Sequence, residues 1–90
     1  MEATLFPLGT VVITPTALTK LYGDDMQIAL DRHHGGDWGE LCEHDRRQNE
    51  IALANGGRLF SVYRDRSHTK FYIITEADRS VTTVLLPEDY

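Results

Sequence analysis

His33-His34-Gly35-Gly36-Asp37-Trp38-Gly39-Glu40-Leu41-Cys42-Glu43-His44-Asp45 is the stretch on which the reading of this chain depends. It carries the only Trp and the only Cys of the chain, and three of the four His residues. Trp and Cys are residue types that fold inward, whereas the Gly and acidic residues around them belong to a loop. A loop that turns a large aromatic inward has a fixed shape. The stretch therefore reads as an internal clamp between helices and sheet, with Trp38 buried and Asp37 bonded to nearby donors.

Upstream, Met26, Ala29, Leu30 and His33 fall at i, i+3, i+4 and i+7, one face of a helix. Asp24 or Asp25 would cap its start. His33 and His34 lie in its last turn, where a cation meets the negative end of the helix dipole, and Gly35-Gly36 ends it. Further back, Leu8 to Ile13 reads as a strand, since Thr10, Val11, Val12 and Ile13 are all β-branched. Thr14 then serves as N-cap with Pro15 at the first helical position. Ala17, Leu18, Leu21 and Tyr22 continue a short helix that Gly23 closes.

Downstream, a helix is expected from about Glu43 to Ala54, stopped by Asn55-Gly56-Gly57. Strands follow over Arg58–Arg64, Lys70–Thr75 and Val81–Leu86, with turns at Asp65–Thr69 and Glu76–Ser80 and a stop at Pro87. The expected fold is a single α+β domain over residues 1–90. It has an N-terminal strand, two to three helices, then a three-stranded antiparallel meander packed on the helices. The expected core is Leu18, Leu21, Leu30, Trp38, Leu41, Ile51, Leu53, Phe60, Val62, Ile73 and Leu85. Phe60 and Val62 share one strand face, and Leu59, Ser61 and Tyr63 the other.

A net charge of −5 speaks against direct nonspecific binding of nucleic acid, which needs a basic face. One Cys cannot form an internal disulfide. No apolar run approaches the length of a membrane span. Met1 to Pro7 has neither the basic start nor the apolar run of a signal peptide. The expectation is a cytoplasmic protein away from the membrane, with no cofactor.

Four constellations could carry chemistry. His33, His34, Asp37, Cys42 and His44 are zinc-ligand types, but their spacing matches no ligand pattern, so no metal is expected. A helix end with dipole-compensating His residues and a buried free Cys accounts for them. The order of one strand, helices, then an antiparallel sheet resembles the layout of RelE-type and barnase-like ribonucleases. Metal-independent RNA cleavage needs a base, an acid and a cation for the phosphate. His34, Arg58, Tyr63, Arg64, Tyr72 and Arg79 include those types. A protein-docking surface is the third constellation. Tyr63 and Tyr72 supply aromatic anchors, and Asp37 and Glu40 an acidic rim. Self-association through the sheet, as a homodimer, is a weaker form of it. Asp45, Arg46 and Asn49 form the fourth, and their expected role is to bond the Gly-rich loop and lock it.

The segments HHGGDWGELCEHDRRQNEIAL, GRLFSVYR and KFYIITEADRSVTTVLLPEDY, preceded by LGTVVITPTAL, resemble a family of short plasmid-related proteins carried on bacterial plasmids and integrative elements. The resemblance spans nearly the whole chain. It implies a mobile-element setting and carries over no catalytic residues. With the acidic balance, that setting leads to an expected function of stoichiometric binding to a host or defence protein, as an inhibitor. The ribonuclease is the alternative, and an enzyme is the less favoured class.

Overall fold

A computed structural model describes residues 4–90. Of the N-terminal reading, Met1–Ala3 lie outside the described residues. The elements run β1 (Thr10–Ile13), α1 (Pro15–Lys20), α2 (Gly23–His34), α3 (Glu43–Asn55), β2 (Leu59–Arg64), β3 (Lys70–Thr75) and β4 (Val81–Leu85), then a 3₁₀ turn at Pro87–Asp89. The class is α+β. The sheet has four strands in the order β1-β4-β3-β2 and is mixed. β2, β3 and β4 form the expected antiparallel meander. β1 adds to the free edge of β4 in parallel, with Thr10 opposite Val81 and Ile13 opposite Val84. A parallel neighbour needs a long crossover, and α1 to β3 supply one. Hairpin signals alone could not reveal it.

The local chemistry explains most boundaries. The Thr14 side chain accepts from Ala17 N at 3.3 Å, and Pro15 opens α1. Leu21 then caps α1, and Gly23 begins α2 instead of closing α1. Asp25 does not cap α2. Its carboxylate pairs with Arg66 at 3.0 Å and lies below the usual carboxylate range because of that bond. Gly36 takes a left-handed φ of 86° and lets the chain leave α2.

Strand alternation assigns Leu59, Ser61, Tyr63, Phe71, Ile73, Thr75, Thr82 and Val84 to one face of the sheet. Ala17 of α1 and Met26, Ala29 and Leu30 of α2 pack with Tyr63, Phe71, Ile73 and Val84 in one buried cluster. A second cluster joins Phe6, Trp38, Leu41, Ala52, Leu59 and Val62 around the junction and α3. Two expected core residues lie outside: Leu18 is 63% exposed and Ile51 is 49% exposed. Both sit on the solvent sides of helices whose buried stripe is narrow. In α1 only Ala17 is buried, and in α3 only Asn49 and Ala52. Leu53 and Phe60 are half-buried.

α3 runs against the outer edge of β2, where Asn49 acts as a piece of strand. Its amide donates to Phe60 O at 2.7 Å, and its carbonyl accepts from Phe60 N at 3.1 Å. The junction covers the next rung, with Val62 N donating to Trp38 O and Glu40 N donating to Val62 O. That edge is thus covered at Phe60 and Val62, and among the described residues β1 is the other edge, with a strand neighbour on one side only. Asn49→Ala should cost roughly 1–3 kcal/mol by leaving both Phe60 groups unpaired at a partly buried edge. Urea unfolding of the two proteins would measure it.

Candidate functional site

The junction is a clamp, as the sequence suggests. Trp38 is 2% exposed, and its ring stacks at 6.2 Å on Phe6 and meets His33 edge-on at 5.6 Å. The indole Nε1 donates to Glu50 of α3 at 2.9 Å. Gly39 is held at φ 73°, and a Cβ there would lie 1.9 Å from Val62 O, so the bridge to β2 requires glycine. The Asp37 carboxylate accepts from Gly39 N at 3.2 Å and from Arg32 Nε at 2.8 Å. The Arg32 bond holds its pKa below the usual carboxylate range. Arg46 does what was expected of it, donating to Leu41 O and Gly39 O. Asn49 instead bonds β2, and the Asp45 carboxylate accepts no hydrogen bond among the described residues.

His33 is fully buried, at the head of a chain of hydroxyls. Its Nδ1 lies 2.5 Å from Ser61 Oγ and its Nε2 lies 2.9 Å from Thr75 Oγ1. Thr75 Oγ1 is 2.8 Å from Thr82 Oγ1, which donates to Leu8 O at 2.7 Å. A carbonyl can only accept, and a hydroxyl has one proton. Thr82 spends its proton on Leu8 O, so Thr75 donates to Thr82 and His33 donates to Thr75 from Nε2. Nδ1 then accepts from Ser61. One neutral tautomer satisfies every group, and burial, with His34 and Arg79 nearby, pushes the imidazole pKa down to about 3. A dipole-compensating cation was the expectation for this residue. The structure replaces it with a neutral strut between α2 and the sheet.

That placement also dissolves the zinc-ligand grouping. His33 is spent on hydroxyls, Cys42 is exposed and not buried, and no three of His, Cys, Asp and Glu converge among the described residues.

The residues of the ribonuclease reading do not meet at one point. Tyr63 faces the helices, with its hydroxyl donating to Asp37 O at 2.6 Å, and burial raises its pKa far above the usual phenol range. Tyr72, one position off the Tyr63–Phe71 rung, faces the other way. Arg79 is consumed by main chain. It donates to Gly57 O at 2.5 Å, Glu76 O at 3.1 Å, Ala77 O at 3.2 Å and Ala52 O at 3.1 Å. It thereby places a cation at the C-terminal end of α3, whose last turn holds no basic residue. His34 lies edge-on to Phe6 at 5.7 Å. Arg58 pairs with Glu76 at 3.2 Å, and Arg64 with Glu40 at 3.1 Å.

Of the expected docking residues, Asp37 and Glu40 are exposed but each holds an arginine, and Tyr63 is buried. Tyr72 lies in a different environment. Between α3 and the outer face of the sheet runs an open groove of about 370 Å³, lined by Leu41, Asp45, Gln48, Asn49, Arg58, Phe60, Tyr72 and Tyr90. Its volume is within the roughly 300–1,000 Å³ of small-ligand pockets. The Phe60 and Tyr72 centroids are 4.8 Å apart, and Tyr90 stands 6.4 Å and 6.0 Å from them. Tyr90 is 71% exposed, so the aromatic cluster reaches solvent. Phe60, an expected core residue, lines this groove together with Tyr90. Strand alternation placed Phe60 on the face opposite Tyr63, which was the available signal. Nothing local in the sequence brings Tyr90 to it. When the chain is compared with family models, with curated proteins and with solved structures, none of the three yields a match.

Proposed function

We propose that this domain works by stoichiometric binding of a protein partner through the groove between α3 and the outer sheet face. The observation that carries the reading is the aromatic trio of Phe60, Tyr72 and Tyr90 in one open groove with a polar border. Interfaces concentrate their energy in such anchors, and Tyr is enriched among them. Of the residues proposed for catalysis only Arg58 and Tyr72 share the groove, and Arg58 is paired with Glu76, whereas Tyr63 is buried and Arg79 is bonded to main chain. The resemblance to plasmid-borne proteins supports a host or defence protein as the target, with inhibition as the consequence.

The test is capture of a partner from host lysate by the wild-type domain, by Tyr72→Ser and by Tyr90→Ala. A protein recovered at near one-to-one ratio by the wild type should fall roughly tenfold or more with Tyr72→Ser, the effect of losing a binding anchor. Tyr90 is exposed enough that its truncation leaves the fold intact, so the second variant separates binding from unfolding. Equal recovery by all three proteins, or recovery of none, overturns the reading.

A further inference from the structure

We propose that the groove takes the guanidinium of an arginine side chain from the partner, laid against the aromatic trio and paired with Asp45. This rests on the reading of the groove as the partner surface and names the chemistry it would select.

The groove holds an unmatched charge. Around the molecule, the carboxylates of Asp25, Asp37, Glu40 and Glu76 each face an arginine. Asp45, at the groove, makes no ion pair and accepts no hydrogen bond among the described residues, although it belongs to the groove lining. The one cation among the described residues lining the groove, Arg58, is already faced by Glu76 through both its Nε and Nη2. The charge open to a visitor is therefore negative.

The walls narrow the choice. Phe60 and Tyr72 meet at 54°, and Tyr72 and Tyr90 at 87°, so the rings offer inclined aromatic faces and not one flat plate. A cation is drawn to such faces by the ring quadrupole. A guanidinium is planar, stacks on a ring and still presents a fork of donors to a carboxylate, which an ammonium cannot match. The Gln48 side chain, also in the lining, makes no hydrogen bond among the described residues and adds an acceptor. An apolar occupant would strip water from Asp45 and give nothing back, and an anion would meet it with like charge.

The experiment uses the ¹⁵N-labelled full chain titrated with a blocked Gly-Gly-Arg-Gly-Gly peptide. Its citrulline and lysine counterparts and uridine monophosphate are titrated in parallel. Saturable shifts are expected with the arginine peptide at Gln48, Asn49, Phe60 and Tyr72. The lysine peptide should bind more weakly, and the citrulline peptide, isosteric but neutral, should leave these signals unmoved. Asp45→Asn should weaken the arginine peptide roughly fivefold, the upper end for an exposed ion pair. Equal binding of the citrulline peptide, no shift with the arginine peptide, or shifts with uridine monophosphate alone would each overturn the inference. If the arginine peptide fails while Tyr72→Ser still abolishes partner capture, the arginine assignment falls and the partner surface stands. If both fail, both fall.

Discussion

Trp38→Ala should cost about 3–5 kcal/mol of stability, the range for truncating a buried aromatic. A domain of 90 residues has about 5–14 kcal/mol in total, at roughly 0.05–0.15 kcal/mol per residue. The variant should therefore lose from about a fifth of that total to all of it. The indole fills the space between Phe6, His33 and the Leu59 cluster, so its loss opens a cavity in the second core. The same residue lends its carbonyl to Val62 N, and a loosened junction would uncover the β2 edge as well. Trp38→Phe keeps a ring in place and forfeits only the bond to Glu50, which reaches solvent and can rehydrate. It should retain most of the stability. Urea unfolding followed by far-UV circular dichroism compares the three proteins. A Trp38→Ala protein within about 1 kcal/mol of wild type would mean that the junction is not a clamp, since truncating a large buried side chain to Ala costs about 2 kcal/mol or more.

The elements were readable because their signals are local. Thr14-Pro15, Gly35-Gly36 and Asn55-Gly56-Gly57 act within a few residues of themselves, and each marks an observed boundary. The strand run Lys70–Thr75 was bounded as it stands. The buried Trp38 followed from residue type against a glycine background. What escaped depends on partners distant in the chain. Parallel β1 pairing joins residues about 70 positions apart, and the buried hydroxyl chain on His33 joins α2 to β2, β3, β4 and the Leu8 stretch. Arg79 resembled a candidate for phosphate contact, and only the folded chain puts the end of α3 beneath it. The groove was half legible. Alternation separated Phe60 from Tyr63, but the arrival of α3 on one side and Tyr90 on the other is a tertiary event.

Lowering the pH from 7 to 5 should remove about 2 kcal/mol of stability through His33 alone. In the fold its imidazole takes a proton only near pH 3, whereas in the unfolded chain it does so near 6.5. Between those values the unfolded chain binds one proton more than the folded one, so stability falls as pH falls. The contribution is intact above about pH 6.5 and drains at up to about 1.4 kcal/mol per pH unit below it. Geometry supplies the reason. A second proton on the ring would sit on Nδ1, which already accepts from Ser61, with no carboxylate at hand and Arg79 nearby. The carboxylates of Asp25, Asp37, Asp78 and Asp89 have lowered pKa values and add their own loss in the same direction. Theirs begins near the ordinary Asp value of 3.8, so the window from pH 6.5 to 5 isolates the histidine. His33→Gln keeps a neutral donor and acceptor at a comparable reach. Although less stable at pH 7, it should show a nearly flat profile across that window. Urea unfolding at half-unit steps gives both curves. A wild-type profile as flat as the variant's would mean that the buried imidazole accepts its proton within the fold, and the neutral strut between α2 and the sheet would have to be abandoned.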